Sequence, residues 1–145
     1  MIDGVVIEKL KIFADERGKV MHMLRCDSPL FIKFGEIYFS VVYSGAIKAW
    51  KKHNTMTQSF AVPIGKIKLV MYDGRDGSPT KGRVDEVKIG EDNYVLIRIP
   101  PKVWYGFQAI SDVSALIANC ADTPYSPNEA ESKLFSDTAI PYTWK

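Results

Sequence analysis

The chain has 145 residues, of which 46% are apolar and 25% charged, the balance of a single globular domain with a sizeable core. A formal net charge of +2, with no run of five like charges, argues against a nucleic-acid partner. Cys26 and Cys120 are too few for a secreted disulfide framework, and no apolar stretch suits a signal peptide or a membrane span. We therefore expect one cytoplasmic domain, residues 1–145, with no membrane partner.

Short β-rich segments separated by glycine and proline follow one another along most of the chain. In chain order, the predicted strands lie in VVIEKLKIF, VMHML, EIYFSVVY, AIKAW, SFAVP, KIKLVMYD, RVDEVKIG, YVLIRIP, VWYGFQAI and SALIANC. About ten strands, spaced roughly every 8–12 residues, are typical of an all-β sandwich or barrel. A double-sheet jelly roll closes such strands most economically, and its mouth is a natural small-molecule site.

Three local predictions complete this outline. NEAESKLF, residues 128–135, is predicted to form one short C-terminal helix capped by Asn128. Arg75, in the loop DGRDGSPTKG, is predicted to tie that loop through hydrogen bonds to carbonyl oxygens. The predicted core aromatics are Tyr38, Phe39, Trp50 and Trp104.

The segment AWKKHNTMTQSF, residues 49–60, contains the most distinctive spacing in the chain. Five residues separate Gly45 from Lys51, and one residue separates Lys51 from His53. Four residues then precede Gln58, and six more precede Gly65. This pattern resembles the first motif of the cupins, in which a His-x-His pair and a glutamate lie between two glycines. The resemblance implies a cupin jelly roll, also called a double-stranded β-helix.

In metal-binding cupins the two histidines, the glutamate and one downstream histidine are ligands. The matching positions here hold Lys51, His53, Gln58 and Tyr105, the last in IPPKVWYGF. A lysine is protonated near neutral pH and an amide is a weak neutral donor, so we expect a site without metal and without a cofactor.

Five segments in the correct order resemble the dTDP-4-dehydrorhamnose 3,5-epimerase family. They are DERG, GAIKAWKKH, GKIKLVMYDGRDGSPTKG, IPPKVWYGF and NCADTPYSPNEAE. The resemblance implies removal of a proton alpha to a sugar ketone, stabilisation of the enolate, and return of a proton to the opposite face. It places Lys48 and Lys51 where the family has an arginine and the base histidine, and Asn119 where it has a tyrosine acid.

Three assignments of the base remain open. His53 is the first choice, with Lys51 as its electrostatic partner on the same strand face. Alternatively, Lys51 is the base, if burial and the neighbouring Lys48 lower its pKa. In the third, Lys51 is a fixed cation over the sugar oxygen and Tyr105 donates from the opposite wall.

The resemblance also assigns the nucleotide end of the substrate. It implies that Arg17, in the DERG turn, contacts the diphosphate and that His22 lies where the family contacts the base from a neighbouring subunit. Gln58, Tyr125 and Glu129 complete the predicted substrate contacts.

The predicted function is an isomerase or epimerase of a nucleoside-diphosphate-linked 4-keto sugar, in surface polysaccharide or deoxysugar synthesis. The alternatives are a 3,4-ketoisomerase of nucleotide sugars and a non-catalytic nucleotide-sugar binding protein. The resemblance also implies a homodimer formed by strand exchange at the N-terminal sheet.

Overall fold

The computed structural model describes residues 1–145 and contains twelve strands and no helix. The strands are β1 (Val6–Lys9), β2 (Ile12–Asp15), β3 (Gly18–Met21), β4 (Glu36–Val42), β5 (Ile47–His53), β6 (Gln58–Ile64), β7 (Lys66–Tyr72), β8 (Val84–Gly90), β9 (Val95–Ile99), β10 (Trp104–Ala109), β11 (Ala115–Ala121) and β12 (Ala130–Ser132). A membrane-spanning helix is therefore absent from the structure.

Ten of the strands form two five-stranded antiparallel sheets. The first has the order β1-β9-β6-β11-β4 and the second the order β12-β5-β10-β7-β8. β2 and β3 pair only with each other, as a separate hairpin. An 18-residue apolar core lies between the two sheets and includes Phe60, Leu69, Ile97 and Ile117. The predicted all-β cupin jelly roll is confirmed.

A second, smaller apolar cluster covers the outer face of the second sheet. It joins Trp50, Val70 and Trp104 to Ile140 of the C-terminal tail. Side chains alternate across a strand, so residues of β7 and β10 face this cluster and the core in turn, whereas β5 contributes to the cluster but not to the core. The tail from Lys133 onward therefore closes the sheet from outside.

An irregularity in β5 decides which of its residues face the interior. The pairing with β10 passes from Tyr105–Lys51 to Gly106–Ala49, which leaves Trp50 as one extra residue on β5. A Cβ atom at Gly106 would clash with Ala49, so this close approach requires glycine. Because of the extra residue, Lys48 and Lys51 face the same side, although they are three positions apart.

The predicted C-terminal helix is wrong. Residues 130–132 form β12, which pairs with β5 through Ala130–His53, Glu131–Lys52 and Ser132–Lys51. An isolated helix of two turns is marginal in water, whereas the edge of β5 offers partners for the backbone groups. Asn128 therefore caps no helix.

Two further sequence predictions can be compared with the structure. Phe39 was expected in the core, but 63% of it is exposed, because it lies on the outer face of edge strand β4. Arg75 donates a hydrogen bond to the Asp3 carbonyl (2.7 Å) and an ion pair links it to buried Asp73 (Nε–Oδ1 2.9 Å), which confirms its structural role.

Candidate functional site

A cavity of about 410 Å³ opens between the two sheets, where β4, β11 and β6 face β5 and β10. Its charged lining residues are three lysines and no carboxylate, and the Lys48 and Lys51 ammonium groups are the ones that face it, since that of Lys133 lies 5.3 Å from the Trp104 ring centroid on the outer face. The lining residues that bear polar side chains are Tyr38, Ser40, Lys48, Lys51, Tyr105, Asn119, Ser132 and Lys133, with Trp50 contributing to the wall as well. A cavity whose charged lining residues are all cations favours an anionic ligand.

Lys48 and Lys51, the two lysines of β5 that line the cavity, differ in their contacts. The Lys48 ammonium donates to the Val41 carbonyl (2.8 Å) and to the Ser40 hydroxyl (3.1 Å), so its position is fixed from β4. Lys51 has no hydrogen bond or ion pair to another protein group and is exposed at the cavity. Lys51 is therefore the lysine with its donors free for a ligand.

His53 lies behind the cavity wall, between two partners. Its Nδ1 is 2.5 Å from Glu129 Oε2, and its Nε2 is 3.2 Å from the Tyr105 hydroxyl. The His53 and Glu129 side chains are only 7% and 9% exposed. Tyr105 lines the cavity and the imidazole does not, so the phenol stands between His53 and any ligand.

Glu129 fixes the protonation pattern of this chain of groups. Burial alone would raise its pKa, but hydrogen bonds from His53 and from the Thr55 and Met56 amides hold the pKa below its ordinary value. An ionised carboxylate can only accept, so His53 Nδ1 carries a proton and donates it to Glu129, which leaves Nε2 facing the Tyr105 hydroxyl. Burial raises the pKa of Tyr105, which therefore holds its proton at neutral pH.

The opposite wall contains a second polar group of side chains. Asn119 Nδ2 donates to the Tyr38 hydroxyl (2.7 Å) and to Gln58 Oε1, and its Oδ1 accepts from the Ser59 amide (3.2 Å). Gln58 is 1% exposed and does not line the cavity. Asn119 is thus held by both neighbouring strands, β6 and β4, and Gln58 supports it from behind.

Three of the predicted substrate contacts lie away from this cavity. Arg17 is at the turn of the β2–β3 hairpin with 82% of its side chain exposed and pairs with Asp15 (2.7 Å). His22 follows that hairpin, with its ring centroid 5.3 Å from that of Phe13. Tyr125 is 75% exposed in the loop before β12. Within one chain, therefore, the cavity and the residues predicted for the nucleotide are separate.

The structure brings Lys48, Lys51, Tyr105 and Asn119 to one cavity and puts His53 and Glu129 next to Tyr105. Glu129, predicted as a substrate contact, instead has both carboxylate oxygens occupied by protein donors. Tyr38 was predicted only as a core aromatic, and it lines the cavity. The sequence indicates only that Tyr38 lies in the long strand EIYFSVVY. Whether its side chain faces the cavity or the outside follows from the register of β4 with β11.

The donor set does not fit a metal centre. No group of three or more histidine, cysteine, aspartate or glutamate side chains converges in the structure. The groups nearest to His53 are a carboxylate and a phenol, and Lys51 and Gln58 supply no anionic oxygen, sulfur or imidazole. The absence of a metal and of a cofactor remains a prediction.

Comparison with known proteins gives a consistent picture. The family model described as dTDP-4-dehydrorhamnose 3,5-epimerase matches residues 1–145. The spore coat polysaccharide biosynthesis protein SpsL of Bacillus subtilis is 34% identical, over 99% of this chain and 97% of that protein. The probable low-salt glycan biosynthesis epimerase Agl13 of Haloferax volcanii is 35% identical, over 97% of this chain and 88% of that protein.

A solved structure extends the match to the whole backbone. The crystal structure of a dTDP sugar isomerase from Desulfovibrio desulfuricans G20 superposes with a TM-score of 0.97 at 51% identity. The superposition covers 99% of this chain and 92% of that chain.

The buried Glu129–His53 pair predicts a specific dependence of stability on pH. Because the pKa of Glu129 is lowered on folding, its contribution is complete above its ordinary value of 4.5 and is lost as the pH falls through the folded-state value. Glu129→Gln should therefore lower the free energy of unfolding at pH 7 by about 1.5–3 kcal/mol, the usual worth of a hydrogen bond to a charged group. The deficit should shrink below pH 4.5 in urea titrations.

Glu131→Gln is the matched control. Glu131 lies two residues away on β12, is 53% exposed and pairs with Lys52 at the surface. This variant should unfold like the wild type at both pH values. A Glu129→Gln deficit that stays constant down to acid pH would contradict the assignment of an ionised Glu129.

Proposed function

The chain belongs to the dTDP-4-dehydrorhamnose 3,5-epimerase family, and on that premise we propose that it epimerises a nucleoside-diphosphate-linked 4-keto sugar. The product would serve surface polysaccharide or glycan synthesis, as the names of the SpsL and Agl13 relatives suggest. The observation that carries the proposal is a cation-lined cavity whose wall holds a phenol backed by an imidazole and a carboxylate.

The proton-abstracting group is Tyr105 together with His53. The proton alpha to the sugar ketone passes to the Tyr105 oxygen while the phenol proton passes to His53 Nε2. The electron pair of the C–H bond moves into the enolate. The imidazolium formed is paired with the Glu129 carboxylate, so the positive charge is compensated in a site that excludes water. His53 thus remains the base, and it acts through Tyr105.

Lys51 stabilises the negative charge that develops during this step. Its ammonium group is uncommitted and lies at the same cavity as Tyr105, its partner in the β5–β10 register. A preorganised cation near an enolate oxygen acts on the transition state more than on the ground state. Lys48, held by β4, adds a second fixed positive charge for the sugar oxygen or the adjacent phosphate.

Deuterium exchange tests the proposal. The protein is incubated in D₂O with a panel of nucleoside-diphosphate 4-keto sugars, and NMR follows deuterium at C3 and C5 together with the product. We expect exchange with epimer formation; Tyr105→Phe should lower the exchange rate by about 10²–10⁴. Lys51→Met should lower it by about 10²–10³, the cost of losing one preorganised electrostatic group.

Lys52→Met is the control for Lys51→Met. Lys52 is the next residue, but its ammonium lies on the outer face, 5.0 Å from the Trp104 ring centroid. The Lys52→Met variant should catalyse deuterium exchange into the sugar at the wild-type rate. Binding by calorimetry without exchange for every sugar would instead support a binding protein, and transfer of the carbonyl to C3 would support a ketoisomerase.

We also propose that the functional unit is a homodimer. The strands of the β2–β3 hairpin pair with neither sheet, and Phe13 and Val20 on it are 57% and 61% exposed. Edge strand β4 exposes an apolar outer row, Ile37, Phe39 and Val41. A second copy covering these surfaces would bury them and allow its hairpin to bring Arg17 and His22 towards the cavity.

Replacing one side chain of the row tests this assembly. Phe39→Glu should convert a dimer to a monomer in light scattering after gel filtration, because a charge would be buried against the partner. Leu134→Glu is the control, since Leu134 is 76% exposed but follows β12 of the second sheet and belongs neither to the hairpin nor to the β4 row. A wild-type monomer, or a Phe39→Glu dimer of unchanged stability, would refute the arrangement.

A further inference from the structure

The cavity has a second phenol, and it faces Tyr105. Tyr38 comes from β4 in the first sheet and Tyr105 from β10 in the second, and both line the same space. A ligand between the sheets would therefore have a phenol on each side. The reaction proposed above accounts for Tyr105 only.

Tyr38 lies beside the position at which the family resemblance implies a tyrosine acid. That position is Asn119 on β11, and Asn119 is the direct cross-strand partner of Tyr38 on β4. Cross-strand partners on one face have Cβ atoms about 4.5–5.5 Å apart, so a tyrosine on β4 reaches nearly the same space as one on β11. The two positions are also in direct contact, since Asn119 Nδ2 donates a hydrogen bond to the Tyr38 oxygen (2.7 Å).

We propose that Tyr38 is the proton donor on the face of the sugar opposite Tyr105, so that β4 supplies the phenol that β11 lacks. The inference rests on the proposed epimerase function and extends it to the step that inverts the carbon. In that step the Tyr38 O–H bond breaks, its proton goes to the enolate carbon, and the enolate electron pair forms the new C–H bond. The charge left on the phenol oxygen is then neutralised from solvent.

The hydrogen bonds around Tyr38 suit a donor. Asn119 Oδ1 accepts from the Ser59 amide, which fixes the orientation of the Asn119 side chain and aims its N–H at the Tyr38 oxygen. This N–H stabilises the phenolate formed by donation. The Tyr38 proton itself has only a long contact, 3.5 Å to Gln58 Oε1, so it is free for a ligand.

Burial and exposure at Tyr38 also agree with this role. Burial raises the pKa of Tyr38, so the phenol carries its proton at neutral pH. The residue is 36% exposed, which lets water return the proton after each turnover. Tyr105 is 6% exposed and bonded to His53, so the two phenols have different routes for their protons.

Separating exchange from inversion tests the inference. In D₂O, Tyr38→Phe should still incorporate deuterium alpha to the ketone, because Tyr105 and His53 remain. Its epimer formation should fall by about 10²–10⁴, with the deuterated sugar recovered in its original configuration. Tyr105→Phe should lose exchange and inversion together. Tyr43→Phe is the control, since Tyr43 is 74% exposed just beyond β4, and it should match the wild type.

A second variant gives the same answer without deleting a hydroxyl. Difluorotyrosine at position 38 should change the ratio of inversion to exchange, and difluorotyrosine at position 43 should not. If Tyr38→Phe inverts the sugar at the wild-type rate, or if the ratio is insensitive to fluorination at position 38, the inference is wrong although the epimerase proposal stands. A wild type that neither exchanges nor inverts any sugar would overturn both.

Discussion

The Glu129–His53 hydrogen bond is the interaction on which the site depends. One carboxylate binds the imidazole through Oε2 and two consecutive backbone amides, of Thr55 and Met56, through Oε1. It thereby fixes the turn between β5 and β6 and attaches β12 to the edge of β5. Removing either partner would leave a buried polar group unpaired, which costs more than the net worth of the bond. Stability and the protonation pattern of the cavity are therefore set by one contact.

The extra residue in β5 is the second constraint. A regular strand would put Lys48 and Lys51 on opposite faces, and only one of them could reach a ligand. The irregularity at Trp50 instead puts both ammonium groups at the cavity and directs the indole into the outer cluster with Trp104. The same backbone feature thus concentrates positive charge inside and anchors the C-terminal tail outside.

Much of the fold could be predicted from the sequence, because alternation and turn residues report directly on strands. Together the ten predicted segments cover every strand of the two sheets and the hairpin except β12. The polar sequence of β12 has a helical pattern and was predicted as a helix. VVIEKLKIF contains two strands, β1 and β2, with a break between Lys9 and Ile12. Local pattern cannot reveal a strand whose stability comes from pairing with the distant edge of β5.

The site was predictable where a motif was continuous and unpredictable where chemistry depends on pairing between strands. Lys48, Lys51 and His53 lie on one strand, so spacing brought them together. Glu129 is 76 positions from His53, and nothing in its local sequence marks it as the partner of the imidazole. Tyr38 and Asn119 are 81 positions apart and meet only through the β4–β11 register. Such roles follow from topology and not from the motif.

The protonation state of His53 tests the central claim most directly. The chain has only two histidines, so ¹⁵N-labelled protein and a His22→Gln variant suffice to assign the imidazole signals by NMR. At neutral pH the account predicts a protonated Nδ1, with its proton shifted far downfield by the short bond to Glu129, and an unprotonated Nε2. An Nε2–H tautomer, or rapid averaging between the two nitrogens as in a solvated imidazole, would contradict it.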